Sequence, residues 1–360
     1  MFESGRMKTT AGIALGLLLF VMALPLPAQD FESIPVARHE LSKNVSVYQV
    51  GLTGVFSNMI AVRTSEGVVV FDALSFPHLT KRVRAQIEKD FGSKIACLIN
   101  THGAPDHTGG NAIFEDVPIY GHEIIKTELT PPTDRPRPSP EEMKKLMDQA
   151  RKRQAKEREE AKKNYLGDLR EFDENDWIFE ERVRSFDPAN PPKPVLPTTL
   201  IGDRYTLRLG GKTFEMSHNT PSYSESDIIV HIPEERTLVV GDIFNAGRLP
   251  CISPRGGTDL ESWEKLFSGY VSNETTIEHF ICTHGAGTIT AAEIREQFSY
   301  LKKLADEVKS LKTSGKTAAE IQSLIPLARF SYLKTYNPYF YGTGFNMHNF
   351  NIDSLWKQIK

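Results

Sequence analysis

The sequence predicts an α/β protein, a layered sandwich of sheets and helices with a helical arm inserted near the middle of the chain. Apolar runs with strand character recur along the chain, and four of them end at a candidate metal ligand. Two proline-rich stretches enclose a charged helical pattern and mark residues 130–197 as the arm. The 360 residues are 39% hydrophobic and 25% charged, which suffices for one large domain formed by residues 29–129 and 198–360.

The first 28 residues have the pattern of a signal peptide. Lys8 precedes an uncharged stretch whose apolar core, residues 11–24, is too short to span a bilayer comfortably, and Leu26-Pro27-Ala28 resembles a cleavage site. An uncleaved anchor is the alternative. We expect cleavage, and therefore a periplasmic or secreted chain without a stable membrane span. The formal net charge of −3 favours neither nucleic acid nor a membrane surface as a partner.

Strands and one helix open the domain. Alternating apolar residues predict a strand over 44–50, and residues 56–63 and 68–71 predict two more. Helical spacing predicts a helix over 79–91, and the apolar run 95–99 predicts a buried strand. This order of elements corresponds to one half of a four-layer αββα sandwich.

The polar loop after residue 99 carries the first candidate ligands. It reads N-T-H-G-A-P-D-H-T-G-G-N over residues 100–111, which places His102, Asp106 and His107 at the end of the sheet. Neutral imidazole and carboxylate suit zinc, iron or manganese. The alternative is a polar loop with two unrelated histidines.

The inserted arm begins with a clear helix start. Ser139 is a helix cap, Pro140 suits the first turn, and apolar residues at helical spacing follow. The stretch 152–163 mixes charges of both signs, which is typical of a solvated helix face. The arm is predicted to be a lid over a pocket, a dimerisation arm that makes a homo-oligomer, or a structural insertion packed beside the domain.

A second sheet is predicted after the arm. Residues 203–209 and 212–217 form one hairpin pattern, and residues 228–232 and 237–240 form another. A long helix over 290–311 follows. The C-terminal tail is rich in aromatic residues, which either line the mouth of a pocket or cap the core; capping is favoured, because aromatic residues mostly serve packing.

Three more candidate ligands follow strand patterns. His218, Asp242 and His284 each come where an apolar run gives way to a loop, as His102 does. Four such placements are what a site at one edge of a layered sheet requires. The sequence therefore predicts a metal site at that edge.

These residues resemble the signature of the metallo-β-lactamase-fold hydrolases, T-H-x-H-x-D-H-x-G-G-N followed by three separated ligands. This chain reads T-H-G-A-P-D-H-T-G-G-N, and the resemblance extends from about Val45 to His284. It implies a four-layer αββα metallo-β-lactamase-like sandwich. One residue departs from the signature: Ala104 stands where the family has its second histidine.

The resemblance implies two adjoining metal sites, one of them incomplete. In the complete site the ligands are Asp106, His107 and His284, with Asp242 as the bridge. The other site has only His102, His218 and the bridging Asp242 as ligands, because Ala104 has no donor atom. The resemblance also implies that Asp72 supports the metal loop, although an aspartate at a strand end is equally typical of a simple cap.

The incomplete site comprises His102, His218 and the shared Asp242. We expect one tightly bound zinc ion and a weaker second one, with iron or manganese as alternatives. Asp106, His102 and His218 are the candidate catalytic residues, and the two histidines bind substrate or carry protons if they do not hold metal.

The function implied is that of a secreted, zinc-dependent hydrolase. A metal-bound hydroxide would attack a small-molecule ester, thioester or amide. Two alternatives remain open: a metal- or ligand-binding protein on this fold that has lost catalysis, since fold does not fix function, and an oxidoreductase with a single iron ion. The sequence does not distinguish among substrates.

Overall fold

The computed structural model describes residues 31–130, 140–185, 193–218, 221–253, 257–272 and 276–359. The predicted signal peptide, residues 1–28, lies outside these ranges. Within them, no helix combines the length and the apolar character needed to cross a membrane.

Seven strands form the first sheet, in the order in which they occur in the chain. The first four are antiparallel neighbours, and the fourth to the seventh are parallel. They are β1 (Val36–Glu40), β2 (Val45–Val50), β3 (Met59–Thr64), β4 (Gly67–Phe71), β5 (Ile95–Ile99), β6 (Ile119–His122) and β7 (Thr199–Ile201).

Six strands form the second sheet, in the order β13-β12-β11-β10-β9-β8. All neighbours are antiparallel except β11 and β12, which are parallel. The strands are β8 (Arg204–Leu209), β9 (Lys212–His218), β10 (Ile228–Ile232), β11 (Thr237–Gly241), β12 (His279–Cys282) and β13 (Thr288–Ile289).

Helices cover both outer faces and form the arm. They are α1 (Pro77–Phe91), α2 (Pro105–Thr108), α3 (Ile125–Leu129), α4 (Pro140–Lys162), α5 (Arg170–Ser185), α6 (Leu260–Ser268), α7 (Ala291–Thr313), α8 (Ala318–Leu324) and α9 (Met347–Gln358). The predicted helix of the arm is present as α4, whereas its predicted cap, Ser139, lies outside the described residues.

The central strands of both sheets, such as β4 and β11, are buried on both faces. Val69 and Phe71 pack with side chains of the second sheet, such as Phe214, in the centre of the sandwich. Val68 and Val70 point the other way and pack against α1, because successive side chains of a strand alternate between faces. Helices α6 and α7 cover the outer face of the second sheet in the same way. The predicted four-layer αββα sandwich is confirmed.

The carboxyl ends of six strands meet at one edge of the sandwich. Strands β4, β5 and β6 run parallel. In the second sheet β9 and β11 run in one direction because both are antiparallel to β10, and β12 is parallel to β11. The two sheets are joined there, since the Ile228 amide donates a hydrogen bond to the Thr101 carbonyl oxygen at 2.9 Å. Loops that leave these strand ends therefore converge.

The arm packs on the domain beside this edge. The Trp177 ring of α5 lies 5.3 Å from the ring of Phe31, 5.4 Å from that of Phe56 and 5.7 Å from that of Phe76. The neighbouring Ile178 is buried in the same core cluster. Of the three interpretations of the arm, this packing favours the structural insertion, and it brings α5 next to the candidate site.

Candidate metal centre

Four residues bring their ligand atoms together at the converging strand ends. His107 Nε2 lies 3.5 Å from Asp106 Oδ2 and 3.4 Å from Asp242 Oδ2. His284 Nε2 lies 3.2 Å from Asp106 Oδ2 and 3.5 Å from Asp242 Oδ2. Tetrahedral zinc with bonds of about 2.0–2.1 Å holds its ligands about 3.3–3.4 Å apart. The spacing of these atoms fits such an ion.

The fifth predicted ligand, His102, lies beside this set. Its ring is fully buried and lies against the ring of His107, with centroids 4.0 Å apart and ring planes tilted by 45°. Its Nε2 lies 3.8 Å from Asp242 Oδ2 and has no hydrogen-bond partner within the described residues. A buried polar atom without a partner is costly, so this nitrogen fits a metal ligand whose ion supplies the missing contact.

Hydrogen bonds turn the Nε2 lone pair of each histidine toward the centre. His107 Nδ1 donates to Asp72 Oδ2 at 2.8 Å, and His284 Nδ1 faces the Gly54 carbonyl oxygen at 3.3 Å. His102 Nδ1 lies 3.2 Å from Thr101 Oγ1, whose own proton is donated to Asp72. Each Nδ1 therefore carries the proton in the neutral ring, which leaves Nε2 free to bind metal.

Asp72 is the buried support of the metal loop. Its carboxylate accepts hydrogen bonds from the Thr101 amide at 2.8 Å and the Thr101 hydroxyl at 2.7 Å, in addition to the one from His107. Its backbone lies in the left-handed region, with φ of 59°, a conformation that non-glycine residues adopt at an energetic cost. These contacts are the ones expected for the supporting role that the sequence resemblance implied for Asp72.

We expect the Asp72→Asn substitution to weaken metal binding by about tenfold to a hundredfold, the usual effect of removing a carboxylate that orients a histidine ligand. Asparagine has the same shape but no longer fixes the proton on His107 Nδ1. Chelator competition measures the affinity. Asp116→Asn, which removes an exposed partner of Arg84, is the control; an equal affinity in both variants would contradict this role.

Charges within the centre are strongly coupled. Burial acts to lower the pKa of His107, but Asp242, Asp106 and Asp72 outweigh it and hold the pKa well above the usual value. Burial also acts to lower the pKa of His284, but Asp242, followed by Asp106, outweighs it and raises the pKa. Metal binding at these nitrogens must therefore displace protons.

The pKa of His102 shifts the other way. Burial, followed by the nearby His107, lowers the pKa of His102 to about 4. Its ring is therefore neutral near pH 7 and ready to act as a ligand without losing a proton.

A hydroxyl group lies among three of the ligand atoms. Ser57 Oγ is 3.2 Å from Asp106 Oδ2, 3.3 Å from His107 Nε2 and 3.2 Å from His284 Nε2. Ser57 is fully buried just before β3. Ser57 was not among the predicted site residues, because a single serine just before a strand carries no recognisable signal.

His218 lies in a different cluster from the one predicted. Its Nδ1 donates to the Asp227 carbonyl oxygen at 2.9 Å, and its ring stacks on that of His122 with centroids 3.9 Å apart. With Asp203 these two histidines form a third group of potential ligands, whereas the described residues place His102 with His107 and Asp242. His122 was not among the predicted ligands.

Ala104 and the position of His218 together leave the second metal site poor in ligands. Ala104 precedes Pro105 at the start of α2, with φ of −66° and ψ of 148°, the extended conformation that a following proline imposes. The residues found at this site are thus His102 and the two ligands it shares with the complete site, His107 and Asp242.

Two tyrosines complete the surroundings of the metal-type ligands. The ring of Tyr223 lies edge-on to that of His102 at 5.3 Å, and the ring of Tyr341 lies 5.0 Å from that of His284. The Tyr341 hydroxyl donates to Asn245 Oδ1 at 3.0 Å. Part of the aromatic tail thus reaches the site, while Tyr336 and its neighbours pack in a core cluster.

The three cysteines take no part in this centre. Cys97, Cys251 and Cys282 are free and buried, and burial raises the pKa of the Cys97 and Cys282 thiols to about 12. Cys251 borders a small cavity together with Tyr223 and Tyr341. Protonated thiols of this kind are poor nucleophiles.

Fold and site define a class: a four-layer αββα protein with clustered histidine and aspartate ligands at one edge. The sequence pattern described as the metallo-beta-lactamase superfamily matches residues 52–275, which is more than half of the chain. The chain belongs to this superfamily.

Individual relatives are more distant. The metallo-beta-lactamases type 2 of Bacillus cereus and Bacillus sp. (strain 170) are each 30% identical over 100 residues, which cover 27% of this chain and 39% of theirs. An inverting sec-alkylsulfatase from Pseudomonas sp. superposes with a TM-score of 0.59 at 14% identity, over 89% of this chain and 50% of the sulfatase chain. This chain thus spans half or less of these proteins, and the structural likeness concerns the fold alone.

Proposed function

We propose that this protein is an exported, zinc-dependent hydrolase that cleaves a small-molecule ester, thioester or amide. The observation that carries the proposal is the spacing of the four ligand atoms of Asp106, His107, Asp242 and His284, each within 3.2–3.5 Å of its neighbours. The signal-peptide pattern in residues 1–28 supports export to the periplasm or beyond.

The chain supplies a ligand set with an open position. Histidine and aspartate are the donors that hydrolytic zinc sites use, and the bound ion would lower the pKa of its water and polarise the substrate carbonyl or phosphoryl oxygen. Asp242 holds the centre together, because its Oδ2 faces all three histidines. Asp106 also faces His107 and His284, and its side chain is partly exposed, so a substrate could approach the centre at this residue.

Tyr223 is placed to assist at the same face. Burial, followed by Asp242 and Asp106, holds the pKa of its phenol well above the usual value. The hydroxyl therefore stays protonated and serves as a hydrogen-bond donor to an oxygen that gains negative charge in the transition state.

Hydrolysis can be tested directly. Zinc-loaded protein should cleave aryl esters or thioesters with a rate that follows metal content, and removal of zinc by a chelator should abolish cleavage reversibly. Protein that holds zinc yet cleaves none of a panel of esters, thioesters, lactones and amides would refute the proposal. Ala104 and the position of His218 favour the alternative of a metal-binding protein without catalysis, and this result would support it.

Restoring the missing ligand is expected to strengthen the second metal site. In Ala104→His the new imidazole would join His102 and Asp242, raising the zinc stoichiometry from about one toward two per chain by ligand count. Metal analysis after gel filtration measures it, with Ala104→Asn, a polar side chain of smaller reach, as the control. A stoichiometry of one in both variants would show that Pro105 holds position 104 out of reach of the site.

A further inference from the structure

One face of α5 contacts the domain along its whole length. Glu171, Asn175, Ile178 and Arg182 are spaced at i, i+4, i+7 and i+11, which places them on one side of a helix. Glu171 binds Arg248, the Asn175 amide donates to the Tyr341 carbonyl oxygen at 3.1 Å, and Ile178 is buried. The last member of this face, Arg182, extends toward the metal centre.

The position of Arg182 is fixed by Ser75. Arg182 Nη2 donates to Ser75 Oγ at 2.8 Å. The segment that ends in Ser75 lies directly against the metal loop, since the Ala73 amide donates to the His107 carbonyl oxygen at 2.8 Å. The approach is so close that a Cβ on Gly109 would lie 2.4 Å from the Ser75 carbonyl oxygen. The Arg182 guanidinium is therefore hydrogen-bonded to a segment that packs directly against the metal loop.

Arg182 differs from the other arginine of this region in having no acidic partner. Arg248 is buried and contacts both carboxylate oxygens of Glu171. No carboxylate oxygen of the described chain lies within 4.0 Å of Arg182, whose hydrogen bond to Ser75 uses one of five N–H donors. Burial lowers the pKa of Arg182 and the nearby Asp106 opposes this effect; the group remains a cation.

A half-buried guanidinium without an acidic partner is an anion-binding group. Three carboxylates, those of Asp72, Asp106 and Asp242, lie at or next to the candidate metal centre, and a single divalent ion would not neutralise all of them. Arg182 adds a positive charge close to Asp106. A neutral substrate would leave the remaining N–H donors of the Arg182 guanidinium without an anionic partner.

We propose that Arg182, delivered by the inserted arm, binds anionic oxygens of the substrate, so that the hydrolysed compounds are esters bearing a carboxylate, sulfate or phosphate group. This inference rests on the proposed hydrolase function for its kinetic part. Its binding part stands separately, because an anion binds to Arg182 whether or not the protein catalyses hydrolysis. In this role Arg182 binds the substrate and does not hold the metal.

The binding part is tested with inorganic sulfate. Calorimetric titration into metal-loaded protein should give a dissociation constant at least about tenfold weaker for Arg182→Gln than for the wild type, as for loss of a charge-assisted hydrogen bond. The dissociation constant of Arg182→Lys should lie between these two values. Ser75→Ala, which removes the hydrogen bond that positions the guanidinium, should weaken sulfate binding severalfold. Arg170→Gln changes an exposed arginine of the same helix and should bind sulfate as the wild type does. Equal affinities in all five proteins would overturn the proposal.

The kinetic part compares matched substrates. The 4-nitrophenyl monoester of succinic acid carries one carboxylate, and its methyl-capped form carries none; 4-nitrophenyl sulfate and phosphate test whether the anion is the reacting group. Arg182→Gln should lower kcat/KM about tenfold to a hundredfold for the anionic compound that the wild type prefers, and less than about threefold for the neutral ester.

The failures of the two proposals are distinguishable. Equal losses on the anionic and the neutral ester, at unchanged metal content, would show that Arg182 supports the fold of the site and would overturn the anion-binding proposal. If the wild type hydrolyses no ester, the hydrolase function fails, and the sulfate titration alone decides whether Arg182 binds anions.

Discussion

Substitution of Asp242 by alanine is expected to remove the metal and, with it, hydrolytic activity. Its Oδ2 lies 3.8, 3.4 and 3.5 Å from the Nε2 atoms of His102, His107 and His284, so one side chain serves every histidine of the centre. Loss of a carboxylate that only orients a ligand weakens metal binding about tenfold to a hundredfold. Loss of Asp242, a ligand shared by all three histidines, should lower the metal affinity by more than this.

The matched control is Asp203→Ala. This aspartate belongs to the cluster of His122 and His218, and its side chain is 81% exposed. Metal content by mass spectrometry and ester hydrolysis should both fall in Asp242→Ala and remain near wild type in Asp203→Ala. If both variants keep the metal, the ion is held elsewhere; if Asp203→Ala alone loses it, the third cluster is the metal site.

Substitution of Glu171 by alanine is expected to destabilise the protein by about 3–5 kcal/mol, the usual cost of removing one partner of a buried ion pair. The side chains of Glu171 and Arg248 are only 5% and 10% exposed. The Arg248 guanidinium also lies 3.9 Å from the centroid of the Tyr341 ring, and that ring packs on His284. An uncompensated charge at Arg248 would therefore disturb both the arm and the metal site.

Urea unfolding of metal-free protein measures this loss. Asp168→Ala removes one partner of an exposed ion pair with Arg170 and should change the free energy of unfolding by no more than about 1 kcal/mol. The double variant Glu171→Leu with Arg248→Met should recover part of the stability, because apolar residues can replace a buried pair. Equal effects of Glu171→Ala and Asp168→Ala would show that the arm contributes little to the fold.

Local patterns were sufficient to predict the layers of the fold. Short apolar runs such as 68–71 and 95–99 predicted the strands, and these elements were found at the predicted positions. The prediction that ligands lie at strand ends followed from the same patterns, since parallel strands carry their carboxyl ends to one edge. Five of the six predicted site residues meet there: His102, Asp106, His107, Asp242 and His284.

The remaining features depend on contacts between distant parts of the chain. His218 follows a strand as expected, but its ring direction is set by Asp227 and by His122, 96 positions earlier. Ser57 and Tyr341 lie at the centre because of how their loops pack, and no periodic pattern of residues in the sequence predicts such packing. Arg182 lies in an arm whose charged helices appear solvated in the sequence, and only the docking of α5 shows which face is covered.

The metal stoichiometry of the purified protein tests the central claim most directly. Protein saturated with zinc, freed of excess ion by gel filtration and analysed by mass spectrometry should retain about one zinc per chain, and His284→Ala should retain none, because one complete ligand set is present. Two equally tight zinc ions in the wild type, or one zinc retained in His284→Ala, would contradict a single centre built by Asp106, His107, Asp242 and His284.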